Sequence, residues 1–131
     1  MMRQVFAMTM FVLGLAVTAQ ADILAAGTLY GGPTQNIATC YLFNAGTGPV
    51  TIVTNQIFRE GGTGQPATSL ALAFDFCGVS LAPNSSCFIQ TTIANLAAHA
   101  CKFVLSPSAA DVRGGFEIRE GNVVLQSVHL R

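Results

Sequence analysis

Charge is what this 131-residue chain has least of: Asp, Glu, Lys and Arg make up 9% of it, six acidic against six basic. That balance removes the basis for electrostatic binding to nucleic acid or anionic lipid. Low charge combined with 51% hydrophobic residues argues against a disordered chain. Helical periodicity is missing too, since no segment sustains apolar residues at three-four spacing. There is no internal repeat of solenoid length and no linker that would divide the chain. Also absent are Cys-x-x-Cys, Gly-x-Ser-x-Gly, the clustered Asp-x-Asp of a calcium loop and any phosphate-binding consensus. With so few charges, much of the surface must be Ser, Thr, Asn, Gln, Gly and Ala. Such surfaces suit secreted proteins and proteins that pack against copies of themselves.

What is present begins at the start of the chain. Met1-Met2-Arg3-Gln4 precedes a mainly apolar run from Val5 to Val17, and Ala19-Gln20-Ala21 stands ahead of Asp22. A positive end, an apolar stretch of this length and an Ala-x-Ala site predict a secretory signal peptide over residues 1–21. The run is short for a membrane span, and nothing downstream approaches one, so no span is expected in the mature chain. Removing 21 of 131 residues leaves 110, the size of one domain, over residues 22–131. All four methionines and Arg3 go with the leader, leaving five basic and six acidic residues and a formal charge of −1. The protein is expected to be secreted or periplasmic.

The mature chain reads as short β segments separated by turn residues, the pattern of an all-β sandwich of about seven or eight strands. Expected strands run over Ile23–Tyr30, Ile37–Phe43, Val50–Arg59, Leu70–Phe76, Cys87–Ile93, Cys101–Leu105, Val112–Arg119 and Val123–Leu130. The last two form a hairpin, with Glu120-Gly121-Asn122 supplying its turn. Leu70, Leu72, Phe74 and Phe76 give the cleanest period-two pattern, with Asp75 on the opposite, solvent face. Asn95 to Ala98 could make one helical turn. The expected core draws on Leu70, Leu72, Phe74, Phe76, Ile89, Ile93, Phe103, Phe116 and Ile118.

Four cysteines, Cys40, Cys77, Cys87 and Cys101, lie beyond the leader and permit three pairings. Spacing favours Cys77 with Cys87, which flank the turn at Leu81–Asn84, leaving Cys40 with Cys101. Loop-closure entropy puts these at roughly 3 and roughly 4 kcal/mol. One detail resists: alternation places Cys87 with Ile89 but Cys77 with Asp75, and paired residues in a regular hairpin share a face. A bulge near Phe76, or a strand ending before Cys77, would remove the conflict. His99-x-Cys101 is the only close Cys/His grouping, so the cysteines read as structural disulfides and no metal site is expected.

Two stretches carry a family resemblance. Asn44-Ala45-Gly46-Thr47-Gly48-Pro49-Val50-Thr51-Ile52 resembles the strand-turn-strand of bacterial immunoglobulin-like domains of the ASH (Hydin-like) type. Cys77-Gly78-Val79-Ser80-Leu81-Ala82-Pro83-Asn84-Ser85-Ser86-Cys87-Phe88-Ile89 is similar to the same group's Cys-Gly-x-x-Leu-x-Pro-Gly-x-x-Cys-x-Ile signature. Asn84 stands for the usual Gly, and Asn also accepts positive φ. Gly114-Gly115-Phe116-Glu117-Ile118 sits where such domains carry a Gly-x-Leu-x-Ile strand. The resemblance covers about half the mature chain, and the whole resembles small exported bacterial proteins built on that sandwich. It implies an immunoglobulin-like antiparallel β-sandwich and an exported location, and it supplies no catalytic residues.

Candidate chemistry is sparse. His99, in a loop beside a disulfide, and His129, in the last strand, have no nucleophile motif near them. Opposite charges on one strand face, such as Arg113 and Glu117, are expected to neighbour each other. The candidate binding loop is the Gly-rich Glu60, Gly61, Gly62, Thr63, Gly64 and Gln65, because sandwiches tend to bind through loops at strand ends. The expected function is a non-catalytic binding or structural module of the envelope or extracellular space, with no cofactor, acting on a protein or surface partner. The alternative is a self-assembling surface or pilus-like subunit that pairs edge strands, Ile23–Tyr30 or Val123–Leu130. A small secreted hydrolase or an enzyme inhibitor ranks below both.

Overall fold

The computed structural model describes residues 20–93 and 96–131. The predicted signal peptide lies outside the described residues except for Gln20 and Ala21, and so do Ala94 and Asn95, the latter opening the candidate helical turn. The described chain is an antiparallel β-sandwich of eleven strands: β1 (Asp22–Ala25), β2 (Leu29–Gly31), β3 (Ile37–Asn44), β4 (Val50–Arg59), β5 (Thr68–Ser69), β6 (Phe74–Asp75), β7 (Ser80–Leu81), β8 (Ser86–Thr92), β9 (Ala97–Ser106), β10 (Val112–Glu120) and β11 (Val123–Leu130). One sheet runs β1-β9-β4-β5, with β2 also on β9 and β7 also on β4; the other runs β11-β10-β3-β8-β6.

Alternation decides which side chains face inward. On β9, Ala97, His99, Cys101, Phe103 and Leu105 are buried while their neighbours are half-exposed. In the facing sheet, Cys40, Leu42, Ile89, Phe116 and Ile118 are buried. The Cys40–Cys101 disulfide joins the sheets through this core, and Cys77–Cys87 is the second bridge, so the favoured pairing holds.

The strand count exceeds the expected seven or eight because one expected strand is divided and two short strands, β5 ahead of Leu70 and β7, fall outside the expected set. Ile23–Tyr30 divides into β1 and β2, which pair with different stretches of β9. The Leu70–Phe76 pattern is not one strand: the chain leaves β5 on one sheet, crosses the side of the sandwich, and reaches β6 on the other. Leu70 and Leu72 pack against the core during the crossing. Phe74 and Phe76 do not, being 51% and 62% exposed, which corrects their assignment to the core. Phe74 pairs with Gln90 on the outer-facing row of β8, so a regular alternation across this segment inverts at the crossing. Ala97 and Ala98, assigned to a helical turn, instead begin β9.

The same crossing removes the cysteine conflict. Strand β6 ends at Asp75, and the chain then turns so that Cys77 reaches the inward-facing Cys87. The Asp75 carboxylate fixes that turn, accepting hydrogen bonds from the Cys77 N–H (2.9 Å), the Gly78 N–H (3.3 Å) and Asn55 Nδ2 (2.9 Å). Gly78 takes φ of 60° there.

Buried Asn44 holds the end of β3. Its Nδ2 donates to the carbonyls of Gly48 (2.8 Å) and Leu81 (3.1 Å), and its Oδ1 accepts from the Gly46 N–H (2.9 Å). Its backbone carbonyl accepts from Asn84 N–H (2.8 Å), and Asn84 has φ of 55°, the conformation its Gly-like position requires. One side chain thus ties the 44–49 turn to the turn between the second pair of cysteines.

Candidate functional site

The Gly-rich loop closes a hairpin between β4 and β5, where Arg59 pairs with Thr68. Gly62 and Gly64 have φ of 80° and 73°, and the Gln65 N–H donates to the Gly62 carbonyl at 3.1 Å. Glu60 is fastened to β9: its N–H donates to the Ala98 carbonyl (2.9 Å), and its carboxylate accepts from the Ala98 N–H (3.1 Å). Glu60, Gly61 and Gly62 border a shallow recess of about 470 Å³ with Arg59, Thr68, Leu70, Leu96 and Ala97, whereas Thr63, Gly64 and Gln65 form the tip outside it. The carboxylate at its mouth is already occupied by the backbone of β9.

The histidines do not meet. His99 lies in β9 and not in a loop; it is buried, and neither ring nitrogen has a hydrogen-bond partner. Burial lowers its pKa from the ordinary value. His129 is exposed on β11 in the other sheet. Among the described residues, no group of three His, Cys, Asp or Glu side chains could hold a metal ion. The expected Arg113–Glu117 neighbourship resolves differently: Arg113 Nη1 donates to the Ala110 and Val112 carbonyls (2.8 and 3.0 Å), and Glu117 stands 3.9 Å from Arg119 Nε.

The outer face of the β11-β10-β3-β8-β6 sheet carries the feature that sequence reasoning missed. Register places Phe88, Tyr41, Gly115 and His129 in one row across four strands. Ser86, Phe43 and Arg113 form the next row on one side, and Gln90, Thr39, Glu117 and Ser127 the next on the other. Phe74 and Phe76 reach this face from the crossing segment. Their rings lie 6.0 Å apart; Phe76 is 4.8 Å from Phe88, and Phe88 is 6.0 Å from Tyr41. The aromatic series therefore runs from the β6 edge to mid-sheet.

Beside Tyr41 the series meets a gap. Gly115 has no side chain, and its neighbours in the row are Tyr41 and His129. The gap opens a shallow recess of about 370 Å³ bounded by Tyr41, Phe43, Ser86, Arg113, Glu117 and His129. Burial and, next, the Glu117 carboxylate push the Tyr41 phenol above its ordinary pKa, so it presents a neutral hydroxyl. Arg119 Nη1 donates to that hydroxyl at 3.4 Å, fixing the ring from one side. The outward direction of Tyr41 and Phe43 was readable from sequence, because they alternate with Cys40 and Leu42. The recess was not, since it depends on the register of four strands.

No family model, curated protein or solved structure matches the chain.

Proposed function

We propose that this chain is an exported β-sandwich that works as a non-catalytic binding module of the envelope or extracellular space, through the outer face just described. The observation that carries the reading is the exposure of Phe43, Phe74 and Phe76 (41%, 51% and 62%) on one face. Contiguous apolar surface of this kind marks interaction sites on otherwise soluble proteins. The crossing segment also holds two of these rings outward with a disulfide and three hydrogen bonds to Asp75. Two disulfides and an apolar leader ending in Ala-x-Ala support export.

The second reading, a self-assembling subunit, draws on β11, an edge strand with exposed Val123, Val124 and Leu125. Gln126 on that edge and Arg131 just past it are engaged. Arg131 and Ala25 exchange two backbone hydrogen bonds of 3.0 Å, and Gln126 Nε2 donates to the Tyr30 carbonyl at 3.0 Å.

One experiment separates the readings. The photo-crosslinker p-benzoylphenylalanine is placed at Phe43, at Val124 or, as a control on an interior strand of the other sheet, at the exposed Val53, and the protein is irradiated in its source cells. Adducts from Phe43 alone are expected. Homodimers from Val124 would favour assembly, and silence at Phe43 would sink the binding-face reading.

A further inference from the structure

We infer that the recess over Gly115 is a saccharide subsite, taking one unit of a neutral hexopyranose polysaccharide. This deepens the binding-module reading and rests on it. The argument starts from what the recess offers. Tyr41 and Phe43 give it an apolar wall of two rings on β3, and its floor is the bare backbone of Gly115. Arg113 and Glu117 stand two residues either side of Gly115 on β10. At about 3.4 Å per residue they mark two ends roughly 13 Å apart, and neighbouring strands about 4.8 Å away set the width between Tyr41 and His129. That is a trough for a flat ring, open above, and too shallow to enclose a ligand.

Chemistry then selects among occupants. Arg113 offers only donors and Glu117, as a carboxylate, only acceptors, so the pair carries no net charge. A wholly apolar occupant would strip water from both groups and return no hydrogen bonds, an expensive exchange. An anionic ligand would meet Glu117, and a cationic one would meet Arg113. A neutral polyol satisfies both ends, because each hydroxyl donates and accepts. A pyranose adds an apolar C–H face to lie on the Tyr41 and Phe43 rings while its rim hydroxyls meet the charged groups. The elements are placed beforehand: the rings stand on a paired strand, Tyr41 is held by Phe88 and Arg119, and Arg113 is fastened to backbone carbonyls. Such preorganisation lowers the ordering cost of binding. The Phe88–Phe76–Phe74 series continues from Tyr41 toward the sheet edge and provides stacking positions for further units of the same chain.

The test uses the disulfide-bonded protein in native gels cast with a soluble neutral polysaccharide, namely β-glucan, mannan or dextran, and in sedimentation with cellulose and chitin. Retention by at least one of them is expected. Gly115→Val, which fills the trough, should weaken retention at least about tenfold, and Glu117→Gln or Arg113→Met about threefold or more. A Cβ at Gly115 meets nothing nearer than 3.9 Å, so the variant should fold and melt like the parent. Val53→Ala, on the other sheet, should bind as the parent does. Lack of retention by every polysaccharide, or equal retention of Gly115→Val, overturns the saccharide assignment. So does a concentration-dependent dimer abolished by Gly115→Val in sedimentation velocity, since a second copy would then cover the face. Adducts at Phe43 that are protein and resist periodate would leave the binding module standing without its sugar. Absence of any Phe43 adduct would remove both.

Discussion

Replacing Asn44 by Ala should be among the most damaging single changes in the chain, although it touches neither a disulfide nor the apolar core. The side chain makes three hydrogen bonds, to the carbonyls of Gly48 and Leu81 and from the N–H of Gly46. At about 1 kcal/mol net for each bond, their loss comes to about 3 kcal/mol, before any cost of leaving the buried partners bare. Net stabilities of domains run about 5–15 kcal/mol, so this is a large share. Measured by urea unfolding with both disulfides intact, and with a slope near 1.5 kcal/mol/M, the midpoint should fall by about 2 M at unchanged slope. Asn44→Asp should not rescue it. Asp keeps the acceptor for Gly46 but turns an oxygen toward the Gly48 and Leu81 carbonyls, where a donor is needed. A midpoint shift under about 0.5 M for Asn44→Ala would show that water replaces those bonds freely, and that Asn44 is not the tie between the two turns.

Two further predictions follow from the same inward-outward logic. Gly114 and Gly115 are adjacent on β10 but should respond oppositely to Ala. A Cβ at Gly114 would run into the Leu130 side chain and come within 2.9 Å of the Tyr41 carbonyl, whereas at Gly115 it meets nothing nearer than the Val128 carbonyl oxygen at 3.9 Å. Gly114→Ala should cost about 1–3 kcal/mol by overpacking, and Gly115→Ala should be neutral or slightly stabilising in thermal melts; equal effects would refute the register. The second concerns pH. Burial holds the His99 pKa below its ordinary 6.5, with the Ala97 backbone and Glu60 opposing the effect and Arg59 adding to it. The unfolded chain therefore binds the proton more readily, so the His99 contribution to stability is complete above about pH 6.5 and is lost as pH falls toward the folded pKa, with a limiting slope of about 1.4 kcal/mol per pH unit. His99→Leu should flatten the stability profile between pH 6.5 and 5 relative to the parent; parallel profiles would place the ring in contact with water.

How much of this was legible in the sequence depended on whether a feature was local. Strand β4 runs over Val50–Arg59 as expected, because turn residues bracket it on both sides. The disulfide pairing followed from the turn between Cys77 and Cys87, and Asn84 takes the positive φ its position implied. Failures arose where the chain changes sheets. Leu70 to Phe76 alternates faultlessly, yet alternation predicts a shared face only while one ladder continues, and here two residues on β5 give way to two on β6. His99 was misplaced because Ala97-Ala98-His99-Ala100 gives no β-branched signal; pairing with β2 and β4 makes it a strand. The candidate loop at Glu60–Gln65 was located correctly as a connection, but its acidic residue is committed to Ala98.

The division between the two faces of the β3-β8-β10 sheet bears on how a binding role could arise in so small a domain. The inner face holds Cys40, Leu42, Ile89, Phe116 and Ile118 against the other sheet, and Cys40 is covalently joined across it. Stability thus depends on one side of each strand, reinforced by two disulfides and Asn44. Residues on the outer side, Phe43, Arg113, Gly115, Glu117 and His129 among them, place no side chain in that core. Period-two geometry makes the separation possible: neighbours such as Leu42 and Phe43 serve opposite faces. An exposed apolar ring on an outer face gains nothing for a free monomer, since exposed aromatic surface raises the hazard of association. Three such rings on one face, two of them held outward by a disulfide-bonded turn, are what the proposed binding role would account for.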